Sequence, residues 1–316
     1  MSEMHPRRVG ASLLERAAEV YDFGAYARER SEVSEPQPAP RPIRADVPAP
    51  EPARQAEAKA QAQPAPARPS ARDAVIIDRE MLAEKNLLVP GAPIGALAEE
   101  FRLVKRQLLL TARLVRGSDA DRARTTLVCS ARPNEGKTYC AVNLALSMAA
   151  ERETEILLID ADFAKPDVMD LLGLTEGRGL LDALADPALD VESLVVPTDV
   201  PHLSVLPAGT KMTSDTELVA SERTPAVIAR LLAADPRRIL IFDSPPALAA
   251  SPASVLAMHV GQVMMVVRAD RTSEGDLREA VGLLDRCDHI QLVLNAVSFA
   301  QGSHRFGSYY GQEDAK

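Results

Sequence analysis

The run Ser130-Ala-Arg-Pro-Asn-Glu-Gly-Lys-Thr138 sets a glycine, a lysine and a hydroxyl residue side by side where the apolar stretch TTLVCS gives way to the helical pattern YCAVNLALSMAA. Strand, glycine-containing loop, Lys-Thr and helix is the order in which a backbone cradles phosphate. The N–H groups at a helix N-terminus point at a bound anion and add the positive end of the helix dipole. In such a loop Gly136 lets the chain approach the phosphates of ATP, Lys137 places a point charge on them, and the Thr138 hydroxyl can ligate Mg²⁺. Pro133, Asn134, Glu135 and Tyr139 complete the candidate nucleotide-binding run. The pattern G-x-x-x-x-G-K-[ST] lacks its first glycine here, since Ala131 stands in that place. Taken alone, the run reads equally as an ordinary strand-to-helix turn with an exposed lysine.

Two later runs tip that balance. Ile156-Leu-Leu-Ile-Asp160-Ala-Asp162 and Ile239-Leu-Ile-Phe-Asp243-Ser-Pro-Pro246 each end four apolar residues in a carboxylate. In an open parallel sheet that position is the carboxyl edge, where ligands bind. A strand-ending aspartate on its own reads as a helix cap. Asp160, Asp162 and Asp243 together with Lys137 read as a site, and their convergence is what Mg²⁺-dependent phosphoryl transfer requires.

The elements that must position these residues are legible in outline. From Thr125 onward the runs TTLVCS, EILLIDAD, LSVLPAG, RILIFDSPP, GQVMMVVRA and IQLVLNAV alternate with helical patterns. Most are continuously apolar, as strands covered on both faces by crossover helices are. The expected fold is α/β, a mostly parallel central sheet with helices on both faces. Ahead of it, Pro93 to Arg116 reads as a helix with a stripe of Leu97, Phe101, Val104, Leu108 and Thr111 or Leu114.

Composition sets the outer limits. The chain has 316 residues, 46% of them hydrophobic, which suits a buried core. Three cysteines, Cys129, Cys140 and Cys287, lack a zinc spacing and are an odd count for a disulfide framework. A net charge of −9 and 3% aromatic residues argue against nucleic acid as a partner. No apolar stretch reaches the roughly 18 to 20 residues of a membrane span and no leader is visible, so a cytoplasmic chain is expected. Residues 1–33 read as a short amphipathic helical segment. Residues 34–72 hold ten prolines between Pro36 and Pro69 and few large apolar residues, the composition of a disordered linker. A catalytic domain is expected over 73–300 and a flexible tail over 301–316.

The combination S-x-x-P-x-E-G-K-T, L-L-I-D-A-D-x-x-x-P and I-F-D-S-P-P, with a tyrosine-bearing tail, resembles the bacterial tyrosine autokinases (BY-kinases) of polysaccharide synthesis. Within them it is similar to the CpsD/CapB type and to the branch linked to exosortase-type exopolysaccharide clusters, in the wider superfamily of P-loop partitioning ATPases. The resemblance implies that Lys137 and Thr138 bind phosphate and Mg²⁺, that Asp162 and Asp243 stand at the metal, and that one of Asp160 and Asp162 takes the tyrosyl proton. A phenol of pKa about 10 gains from a carboxylate within hydrogen-bond reach, and Asp160 is the expected base. Asn295, closing IQLVLN, stands where such folds contact the purine; it reads equally as a strand-end turn.

The resemblance further implies a homo-oligomer, possibly a ring, in which one subunit's tail enters the next one's site, with Tyr309 and Tyr310 as acceptors. Glu99, Arg102 and Lys105 match the oligomerisation motif E-x-x-R-x-x-R with lysine last, and read alternatively as a solvated helix face. A transmembrane polysaccharide co-polymerase is the implied activator, holding the chain at the inner membrane. Three positions depart from the pattern. Asn134 stands where glycine is usual, a place Asn can fill because it adopts left-handed conformations more readily than most residues. Ala164 and Lys165 replace an arginine motif, and a lysine does not reproduce a guanidinium fork. The tail has only two tyrosines. A switch ATPase of the partitioning type and a nucleotide-binding scaffold are the alternative functions; against the first, the chain ends in a polar segment and not an amphipathic membrane helix.

Overall fold

The computed structural model describes residues 74–297. The N-terminal helical segment, the linker and the tail with Tyr309 and Tyr310 lie outside the described residues. Seven strands form one sheet: β1 (Thr125–Ser130), β2 (Glu155–Asp160), β3 (Val196–Pro197), β4 (Leu203–Leu206), β5 (Arg238–Asp243), β6 (Gln262–Arg268) and β7 (Ile290–Asn295), in the order β3-β4-β2-β5-β1-β6-β7. All neighbouring pairs are parallel except β3 with β4. The helices are α1 (Arg79–Glu84), α2 (Ala96–Arg116), α3 (Lys137–Ala149), α4 (Val168–Leu171), α5 (Leu180–Ala185), α6 (Asp215–Val219), α7 (Arg223–Ala234), α8 (Pro252–Ala257) and α9 (Glu274–Leu283). None of the described helices is long and apolar enough to cross a membrane.

The period-2 geometry of a strand explains why the central runs are apolar throughout. Leu127 and Cys129 of β1, Leu157 and Ile159 of β2, and Leu240 and Phe242 of β5 point to one core. Val128, Ile156, Leu158 and Ile241 point to the other, beneath α2 and α3. The first core is closed by Leu181 and Leu184 of α5 and Leu231 of α7. α3 is buried on nearly every side, and its Ala141, Ala145 and Ala149 let it lie close against the sheet.

Three expectations change. Gly95 is the N-cap of α2, so the helix begins at Ala96 and not at Pro93. Its buried stripe ends on Thr111 and Val115, while Leu114 is 73% exposed. β7 is not covered on both faces: it is an edge strand, with Leu292 and Leu294 more than half exposed. The two-residue β3 was not foreseen; Val196 pairs antiparallel with Val205, and the Val75 N–H donates to the Pro197 carbonyl at 2.9 Å.

Candidate active site

β1, β2 and β5 bring the chemistry to one edge of the sheet. β5 lies between the other two, and register pairs Asp243 with Val128 of β1 and with Asp160 of β2. β1 runs into the loop 131–136, and α3 starts at Lys137 with Gly136 as its N-cap. Two residues of the loop have left-handed backbones, Asn134 at φ 63° and Gly136 at φ 92°. Asn134 thus holds the conformation that its side chain tolerates better than most. Alternating backbones of this kind gather successive N–H groups into an anion-binding concavity.

A cavity of about 370 Å³ opens over this loop. Pro133, Asn134, Gly136, Lys137, Thr138 and Tyr139 form one wall. Asp162, Lys165, Asp167 and Leu171 form another, and Pro245, Pro246, Ala249 and Ala250 a third. Of these, Leu171 and the two alanines were not anticipated, because nothing in a sequence marks an apolar rim. The Tyr139 hydroxyl donates to the Asn86 carbonyl at 2.7 Å, which ties the cavity wall to the turn after α1.

Lys137 is the centre of charge. Its Nζ lies 2.6 Å from Asp162 Oδ2 and 4.0 Å from Asp243 Oδ2, and donates to Thr138 Oγ1 at 3.1 Å. Burial works against the ammonium, but the carboxylates of Asp243 and Asp162 outweigh it and hold its pKa above the ordinary value. Asp243 is fully buried, and neither carboxylate oxygen has a hydrogen bond of ordinary geometry. Burial pushes its pKa up to about 7, against the opposing pull of Lys137 and the Thr138 hydroxyl.

Asp160 is fully buried as well, but differently used. Its Oδ1 accepts from the Asp162 N–H at 3.1 Å and its Oδ2 from the Val168 N–H at 3.0 Å, which fixes the turn after β2. Burial and the neighbouring Asp243 push its pKa well above the carboxylate range, although both amide bonds oppose this. The three aspartates share the sheet edge without closing into a cage: among the described residues no three His, Cys, Asp or Glu side chains converge on one point. Asp162 faces the cavity; Asp160 and Asp243 lie beneath it. Mg²⁺ fits this donor set, since it keeps several waters and takes one or two carboxylates plus phosphate oxygens. Asp243, whose buried oxygens lack an ordinary hydrogen bond, the Thr138 hydroxyl and Asp162 are the residues that could hold it.

Other candidate residues sit differently from expectation. Glu135 is buried on the far side of the loop, where its carboxylate accepts from the Arg132 N–H at 2.9 Å and from the Thr272 hydroxyl. Asn295 donates from Nδ2 to the Glu135 carbonyl at 3.0 Å, and its Oδ1 accepts from Ala296 N–H, so its amide reaches the loop. On α2, Glu99 and Arg102 pair with each other. Lys105 turns inward to α3, meeting Glu151 at 2.6 Å and the Ser147 carbonyl at 3.1 Å, so only Arg102 of the two cations stays on the open face. The partners of Lys105 are more than 40 residues distant in sequence, beyond the reach of a local pattern.

No family model matches the chain. It is 28% identical over 250 residues to the tyrosine-protein kinase Wzc of Salmonella typhimurium, an alignment covering 77% of this chain and 33% of that protein. The chain thus spans about a third of the length of that relative. It is 27% identical over 234 residues to the tyrosine-protein kinase YwqD of Bacillus subtilis, covering 73% of this chain and 93% of that one. Among solved structures, the kinase domain of the Escherichia coli tyrosine kinase ETK superposes with a TM-score of 0.57 over 71% of this chain and 89% of that one, at 22% identity, a likeness of fold. A phosphate loop, two strand-end acidic motifs and this sheet occur together in a chain that is, by sequence, a relative of the bacterial tyrosine-protein kinases.

Proposed function

We propose that the chain is an ATP-dependent protein-tyrosine kinase that phosphorylates Tyr309 and Tyr310 of another copy's tail. The reading rests above all on the Lys137 ammonium, held between Asp162 and the buried Asp243 beside the Thr138 hydroxyl at the foot of a phosphate loop. The names of relatives that cover most of the described chain favour a tyrosyl acceptor over water.

The chemistry follows from the positions. Loop amides and Lys137 would bind the β and γ phosphates of ATP, and Thr138 and Asp243 would hold Mg²⁺, which would supply charge neutralisation on the phosphate oxygens and leave Asp162 to act as base. As Lys137 moves to phosphate it leaves Asp162. The acidic pair Asp160 and Asp162, with Asp162 as its cavity-facing member, then accepts the phenolic proton. The phenol oxygen bonds to the γ phosphorus, the bond from that phosphorus to the bridging oxygen breaks, and ADP leaves with the electron pair. The apolar rim of Leu171, Ala249 and Ala250 suits the aromatic ring of the incoming side chain.

We further propose that the chain acts as a homo-oligomer, with the open face of α2 around Arg102 as contact surface, and that a transmembrane co-polymerase activates it at the membrane to control exopolysaccharide polymerisation or export. The test is mass spectrometry of the tail peptide from the native host, wild type against Lys137→Ala, repeated with purified protein, activator and Mg²⁺-ATP. Phosphate on Tyr309 or Tyr310 that disappears with Lys137→Ala is the expected result. A tail unmodified in the presence of partner and ATP overturns the proposal and leaves an ATPase switch or a scaffold.

A further inference from the structure

The end of β6, the segment after it, the first turn of α9 and the end of β7 reach the phosphate loop at four points. Arg268 Nη1 donates to the Asn134 carbonyl at 2.8 Å. The Thr272 hydroxyl donates to the buried Glu135 carboxylate. The Arg132 guanidinium forks onto Asp276, Nε to Oδ2 at 2.7 Å and Nη2 to Oδ1 at 2.8 Å. Asn295 Nδ2 donates to the Glu135 carbonyl at 3.0 Å. The anchors are themselves fixed: the Arg268 N–H donates to Thr272 Oγ1 at 2.9 Å, and the Asp276 N–H donates to the Ser273 hydroxyl at the start of α9.

The four contacts act on the residues whose backbone must stay left-handed. Asn134 and Gly136 flank Glu135; glycine takes a left-handed backbone without steric cost, whereas Asn134 holds it at a cost that its surroundings must offset. A carbonyl that accepts from Arg268 or Asn295 is committed to that donor, which leaves the loop's N–H groups to face an anion. Gly136 carries a second constraint beyond its φ: a Cβ there would lie 2.2 Å from Asn295 Nδ2. The glycine is needed for Asn295 to reach the loop as well as for phosphate to approach it.

We propose that Thr272, Asp276 and Asn295 are positioning residues that hold the phosphate loop in its anion-binding shape before nucleotide arrives, so that the β6–α9 connection and the end of β7 set nucleotide affinity. The inference rests on the nucleotide-binding reading above. Affinity then depends on side chains that touch no phosphate, and the latch acts on binding more than on turnover.

The experiment titrates the full chain with a fluorescent N-methylanthraniloyl ADP, alongside turnover at saturating ATP. Thr272→Val and Asn295→Ala are expected to raise the dissociation constant about tenfold, the size of one lost hydrogen bond to the loop, with turnover at saturation in Thr272→Val close to wild type. Asp276→Asn, at the exposed end of the latch, raises it about threefold by the same reasoning. Thr272→Ser retains the hydroxyl and restores affinity to within about twofold. Wild-type affinity in both Thr272→Val and Asn295→Ala overturns the proposal, as does a loss in Thr272→Ser equal to that in Thr272→Val. A wild-type protein whose signal matches Lys137→Ala overturns the nucleotide-binding reading instead, a distinguishable failure.

Discussion

Lys137 Nζ and Asp162 Oδ2 stand 2.6 Å apart, both with little exposure, so the lysine ammonium is already paired with a carboxylate on the opposite wall. In the proposed reaction an arriving phosphate must win the ammonium from Asp162, which releases Asp162 toward the acceptor side. One ion pair thus ties the occupation of the phosphate loop to the readiness of a base.

Removing that partner separates binding from chemistry. Asp162→Ala frees the ammonium, so ADP in the absence of Mg²⁺ binds about two- to fivefold more tightly, while transfer to tyrosine falls at least about a hundredfold for want of the carboxylate. Equilibrium titration and single-turnover transfer measure the two effects. Parallel loss of both would mean that the pair organises the loop and does not compete with phosphate.

Asn134 offers a test of backbone conformation. Its φ of 63° suits Asn or Gly, whereas a β-branched residue is forced out of its allowed region. Asn134→Gly is expected to stay within about 0.5 kcal/mol of wild type, and Asn134→Val to cost about 1–2 kcal/mol with loss of nucleotide affinity, both read from urea denaturation.

Leu158 lies fully buried in β2, between β4 and β5. Leu158→Ala removes apolar contacts and leaves a cavity that two flanking strands hold open, so unfolding free energy should fall by about 3 kcal/mol, within the range for buried leucines. A change below about 1 kcal/mol would indicate that the sheet collapses around the gap.

The Arg132–Asp276 fork predicts an acid limb. The hydrogen bond from Arg132, joined by one from Ser273, holds the Asp276 pKa down to about 2 from its ordinary 3.8. A carboxylate that is more acidic in the folded chain contributes stability that is complete above its unfolded value and is lost as pH falls through its folded one. The stability difference between wild type and Asp276→Asn should therefore be constant at neutral pH and shrink between about pH 4 and pH 2. Denaturant titrations across that range read it directly.

All three thiols are buried. Burial raises Cys129 and Cys287, and pushes Cys140 up to about 12. A thiol needs to ionise to react, so an aromatic disulfide reagent near neutral pH should label none of them until denaturant is added. Rapid labelling of Cys140 in the folded protein would show that α3 opens.

The sheet and the phosphate loop were legible because their signals are local: an apolar run ending in Asp160 or Asp243 marks a strand and its edge at once, and Gly136-Lys-Thr138 marks the start of a helix. Asn134 could be read for the same reason, since its conformational tolerance is its own. What escaped was decided by distant partners. Lys105 was read by its place in a motif but answers to Glu151. Asn295 was read equally as a ligand contact and a strand-end turn, and its bond to the backbone of Glu135 spans 160 residues. Leu114 and Val115 differ by one helical step, and only the position of the sheet selects between them. β3 is too short, and ends in a proline, so that no period could announce it.

β1 is the first strand of the sheet in sequence and lies near its middle, yet its two neighbours, β5 and β6, begin at Arg238 and Gln262, more than a hundred residues downstream. During synthesis the strand that carries the phosphate loop therefore waits, with every backbone group unpaired, until most of the sheet has been translated. Pairing across so long a loop is slow to form. Folding of the loop is a late event, so a ribosome that stalls before β5 leaves β1 bare and gives a product without either neighbour of the phosphate-loop strand.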